Sequence, residues 1–84
     1  MNYKDVAEKL IAEWNLCQYA RVKNAAIDIQ LEKDRISALA YSLNTALVWG
    51  SSDEDLKAAC ENFEPKLMHL KEKLVFEILK NGTI

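Results

Sequence analysis

The sequence predicts an all-α protein, and three observations carry that prediction. Residues Leu56, Cys60, Phe63, Leu67, Leu70 and Leu74 recur at alternating steps of four and three, the period of an apolar helix seam. A second series, Val22, Ala26, Ile29, Lys33, Ile36, Ala40, Leu43 and Leu47, repeats in the same way with Lys33 as its one polar member. Between the two lies Gly50-Ser51-Ser52, the clearest connector in the chain, because Gly is absent before position 50 and Pro before position 65.

Elements follow in chain order. Asn2 is placed to cap a helix whose third position is Asp5, and Tyr3, Val6, Ala7, Leu10, Ile11, Trp14 and Cys17 fall on one face of it. This stripe is out of register with the one that starts at Val22, since extending it by heptads from Cys17 meets Arg21, Asn24 and Asp28. An eleven-residue step from Ile11 to Val22 keeps a face in line on a nearly straight helix, so the spacing favours one helix over about 3–48. The alternative is a bend near 18–21, which turns the hairpin into a three-helix bundle.

Gly50 ends the first long helix in the left-handed conformation, and Ser51 or Ser52 starts the next, with Asp53, Glu54 and Asp55 in the dipole-favoured first turn. Pro65 interrupts the second stripe without shifting its register, which predicts one kinked helix over about 53–80, a break at 62–64 being the alternative. Asn81-Gly82 then closes it. Short connections make antiparallel neighbours, so folding about Gly50 sets Leu43 by Cys60, Ala40 by Phe63 and Ile36 by Leu67.

A hairpin of this kind occupies residues from about 22 to 80 and leaves the first twenty without a mate. Tyr3, Val6, Leu10, Ile11 and Trp14 are therefore the expected interaction surface, because a stripe of that size is costly to leave in water. A second copy of the chain is the favoured cover. The chain itself, folded back through the bend, and a different protein partner are the other two. The whole chain, 1–84, is one small domain; a chain of this length buries only roughly 60% of its unfolded surface and gains from oligomerising.

Composition narrows the function classes. Eleven basic against thirteen acidic residues, interspersed, give a formal charge of −2, without the basic stripe that duplex binding needs. The N-terminal residues lack the pattern of a signal peptide and no apolar run reaches membrane-spanning length, so the expectation is a cytoplasmic protein without membrane attachment. Cys17 and Cys60 lack CxxC spacing and read as buried apolar side chains. Asn81-Gly82-Thr83 is a chance match to a glycosylation acceptor.

No catalytic, cofactor-binding or metal-ligating set is visible. His69 is the sole histidine and has no nucleophile or second ligand at a defined spacing; Ser37, Ser42 and Thr45 have no His and Asp partners. Carboxylates at Asp28 with Glu32, or Glu61 with Glu64, lack the Glu-x-x-His pairs of di-metal bundles. The sequence thus predicts a non-catalytic, self-associating interaction module, a homodimer with coiled-coil-like packing and no cofactor. The alternative is a small nucleic-acid-associated regulator using Trp14–Ile27, an acid-free stretch where Arg21 and Lys23 lie near Trp14 and Tyr19.

Overall fold

The chain is all-α. The computed structural model describes residues 2–20 and 27–81, the side chains of Ile27 and Asp28 excepted. Three helices are present among them: α1 (Tyr3–Tyr19), α2 (Ile27–Val48) and α3 (Asp53–Asn81).

Each helix boundary has a local cause. At the start of α1, Asn2 is extended and its Oδ1 accepts the Asp5 N–H at 3.0 Å. The end of α2 is a Schellman motif: Ser51 N–H donates to the Ala46 carbonyl at 3.0 Å, Gly50 N–H to the Leu47 carbonyl at 3.3 Å, and Gly50 takes φ 68°. Ser52 Oγ then accepts the Asp55 N–H at 3.2 Å and opens α3. These are the caps read from Asn2, Gly50 and Ser52 in the sequence.

Pro65 lies inside α3, which runs unbroken from Asp53 to Asn81 rather than breaking at 62–64. Pro65 and Glu61 are both exposed, so the proline removes its hydrogen bond on the outer side of the helix, away from the core. The predicted closure at Gly82 lies outside the described residues.

The long helix expected over 3–48 is interrupted. Ala20 leaves the helical region (φ −65°, ψ 129°), and its N–H caps back to the Cys17 carbonyl at 3.3 Å. Of the two sequence readings, the bend near 18–21 fits these residues. Val22, Ala26, Arg21 and Lys23 lie outside the described residues. α1 packs along both α2 and α3, antiparallel to the former and parallel to the latter: Tyr3 N–H donates to Asp53 Oδ1 at 2.8 Å at one end, and Trp14 meets Phe63 edge-to-face at 6.4 Å further along.

Both seams converge on one core. Leu56, Cys60, Phe63, Leu67, Leu70 and Leu74 of α3, Ile29, Ile36, Ala40 and Leu43 of α2, and Ala7, Leu10, Trp14 and Cys17 of α1 are all buried. Propensity favours continuity through 20–26 only weakly, whereas burying Leu10 and Trp14 against the other helices stabilises by several kcal/mol.

Lys33, the one polar member of the α2 stripe, has its own explanation. Its ammonium donates to the Ala20 carbonyl at 2.9 Å and to the Gln18 carbonyl at 3.2 Å, at the C-terminal end of α1. α1 has no basic residue in its own last turn, so α2 supplies the cation that its dipole favours. Asp53 does the converse at the other end, where the N-termini of two parallel helices meet. Lys71–Glu13 (3.5 Å) and Lys73–Glu32 (3.7 Å) bridge the helices; the first is exposed and contributes little, whereas Glu32 of the second is half-buried.

Candidate interaction surface

The five residues predicted to form the interaction surface lie inside one chain's fold. Leu10 and Trp14 are 6% and 5% exposed, and Tyr3, Val6 and Ile11 pack partly buried against the same core. The stripe that needed a cover has one in α2 and α3. Trp14 is likewise committed to Phe63, so of the acid-free stretch named above only Tyr19 among its aromatics stands in solvent.

His69 is exposed, and Ser37 Oγ donates to the Asp34 carbonyl at 2.8 Å, a local helix contact. Among the described residues no group of three or more His, Cys, Asp or Glu side chains is placed to hold a metal ion. Cys17 and Cys60 are free and buried. Burial raises both thiol pKa values; at Cys17 Lys71 and Lys33 oppose the rise while Glu13 adds to it, and at Cys60 Glu64, Asp53 and Glu61 add to it.

What the structure leaves uncovered is elsewhere. Tyr41 and Val48 are each 75% exposed and Trp49 is 81% exposed, all on the side of α2 turned away from the core. Tyr41, Thr45 and Trp49 form one row at helical spacing, since the Trp49 N–H still bonds the Thr45 carbonyl at 2.9 Å. Between the two aromatic rings lies a shallow groove of about 380 Å³, lined by Tyr41, Ser42, Thr45, Ala46, Trp49 and Ser51. Its floor is made of small side chains and its walls of rings.

No charged residue occurs from Ile36 to Ser52. A surface helix opposes its buried stripe with charged or polar side chains, and this half of α2 does so with uncharged ones, Ser37, Ser42 and Asn44, beside the exposed Tyr41, Val48 and Trp49. The signal was present in the sequence: the interval between Arg35 and Asp53 is free of Asp, Glu, Lys and Arg, while the heptad reading attended only to the buried stripe.

A second apolar group, Val75, Phe76 and Leu79, sits near the end of α3, which at 29 residues outruns the 17-residue α1 by roughly 18 Å. It differs from the α2 face in being interleaved with Lys71, Glu72, Lys73, Glu77 and Lys80. An apolar residue among charges is ordinary surface composition.

The chain's radius of gyration is 13.7 Å, where a compact chain of this length has about 12 Å. No helix among the described residues is long and apolar enough to cross a membrane. No model of a known protein family, no curated protein and no solved structure matches the chain.

Proposed function

We propose that the chain is a non-catalytic helical interaction module that works by associating with a second copy of itself. The carrying observation is the charge-free half of α2, where Tyr41, Val48 and Trp49 stand in solvent on the face opposite the core. The interaction surface moves from the α1 stripe, which its own chain covers, to the outer face of α2.

Both thiols are free, in keeping with a reducing cytoplasmic setting. The nucleic-acid reading is the weaker one, because Trp14 is spent on Phe63 and a formal charge of −2 offers little to phosphates.

Mass by light scattering at two concentrations, well separated, tests the reading. A weight approaching twice the 9.6 kDa of the chain at the higher concentration is expected. A mass that stays at one chain at both would overturn it.

A further inference from the structure

We infer that α1 is an exchangeable arm: two copies of the chain can each give up their own α1 and seat it on the other's α2 and α3, with the break after Tyr19 straightening so that about 3–48 runs as one helix. This goes beyond the self-association proposed above and does not rest on it, because the contacts it uses are those that already hold α1 within one chain.

The occupant of the seat is α1 itself. Ala7, Leu10, Trp14 and Cys17 are buried against α2 and α3, the Tyr3 N–H donates to Asp53 Oδ1 at 2.8 Å, and Glu13 pairs with Lys71 at 3.5 Å. The α1 of a second copy is the same helix and remakes each of these contacts. Direction is preserved as well. When α1 and α2 are joined end to end, two such helices lying side by side about a two-fold axis near the junction run antiparallel, which sets α1 of each along α2 of the other in the orientation that one chain already uses.

Only the connection changes, and there the sequence favours the straight form. Positions 20–26 hold neither Gly nor Pro, and Ala20, Arg21, Lys23, Ala25 and Ala26 are of the types with the best helix propensity. The eleven-residue step from Ile11 to Val22 keeps a face in line across the junction. Among the described residues, Lys33 stands on the other side of the balance: its ammonium donates to the Gln18 and Ala20 carbonyls at 3.2 and 2.9 Å, where the end of α1 leaves them without helical partners. In a continuous helix those carbonyls would accept from the N–H groups four residues on. The single chain thus needs Lys33 at its break, and an exchanged pair does not.

Exchange between folded chains is slow, because α1 must first bring Leu10 and Trp14 out of the core. Refolding at high chain concentration avoids that barrier, since a free α1 then meets the seat of a second chain as readily as its own.

The test uses the full chain carrying Trp49→Asp, so that the outer face of α2 is disabled and any dimer arises elsewhere. The chain is unfolded in urea, refolded at a low and at a high concentration, and its mass is read after both samples are brought to the same dilution. Glu13 and Lys71 report which chain supplies α1. A zero-length carbodiimide joins this carboxylate and ammonium as an amide, within one chain in the single-chain form and between chains in the exchanged one. The expected result is a single-chain mass from dilute refolding and, from concentrated refolding, a dimer that persists on dilution and is locked between chains through Glu13 and Lys71. Lys33→Met in the same background is expected to raise the ratio of dimer to single chain at least about tenfold, since it removes charge-assisted bonds that only the single-chain form needs.

A single-chain mass after concentrated refolding, with and without Lys33→Met, would overturn the exchange and leave the self-association proposed above untouched. A dimer whose Glu13 to Lys71 linkage stays within each chain would also overturn the exchange, and because it forms without Trp49 it would count against the α2 face too. Should Trp49→Asp fail to fold, the same linkage is read on the unmodified chain, where a dimer held by the α2 face keeps it within each chain and only exchange carries it between them.

Discussion

Lys33 of α2 donates to the carbonyl of Ala20 at 2.9 Å, at the point where α1 gives up its helical backbone. In a chain with neither Gly nor Pro before position 50, this contact marks the interruption of an otherwise continuous helical pattern. The bond is partly buried and charge-assisted, and a second bond to the Gln18 carbonyl accompanies it.

Replacing Lys33 with Met is therefore expected to destabilise the fold by about 1 to 3 kcal/mol, since hydrogen bonds to a charged group and the dipole of α1 are lost together. Urea melts of the two chains would show it as a lower midpoint. An unchanged midpoint would mean that the cap contributes nothing.

Trp14 and Phe63 join α1 to α3 through the one ring pair among the described residues. Trp14→Ala and Phe63→Ala are each expected to cost about 3 to 5 kcal/mol, and the double variant to cost less than the two combined, because the edge-to-face contact, worth about 0.5 to 1.5 kcal/mol, is removed only once. A double-mutant cycle in denaturant measures the coupling. Strict additivity would place the two rings out of contact.

Gly50 adopts φ 68° with nothing within 4 Å of where a Cβ would stand. Gly50→Ala should thus cost only the backbone strain of a left-handed residue, about 1 to 2 kcal/mol, with no change in the core. Calorimetry would read this as a lowered Tm with the helix signal intact.

Both thiols are buried with raised pKa values, so at pH 8 each holds less thiolate than a free cysteine, and the deficit closes as pH rises through the higher native value. Alkylation of the native chain should be slower at both sites than at a free cysteine, burial being the largest cause at each. Mass spectrometry of peptides from a timed reaction would show it. Labelling of either residue at the rate of a free thiol would contradict the packing around it.

The helices, their caps and the two seams were legible in the sequence because each rests on local chemistry: Asn2 to Asp5, Gly50 with Ser51, and the four-three spacing from Leu56 to Leu74. The interruption at Ala20 was legible only as one of two readings, the bend near 18–21, since the features that accompany it, a contact from Lys33 thirteen residues along the chain and the burial of Leu10 and Trp14, are tertiary. Lys33 was visible as the odd residue in its stripe, yet spacing alone does not say what a lysine on a seam is for. The exposed rings of α2 were not legible for a related reason: periodicity finds the stripe that a helix buries and is silent on the side chains it leaves in solvent.

The most direct test sets two charge insertions side by side, Trp14→Asp and Trp49→Asp, with mass and circular dichroism read on the same samples. Trp14→Asp puts a carboxylate into the core of one chain, at a cost comparable to the whole stability of a small domain, and should unfold it. Trp49→Asp changes only an exposed residue and should yield a folded single chain where the proposed assembly of the unmodified protein is a dimer. The opposite pattern, a folded monomer from Trp14→Asp and an intact dimer from Trp49→Asp, would show that the α1 stripe is the interface and that the face of α2 is not.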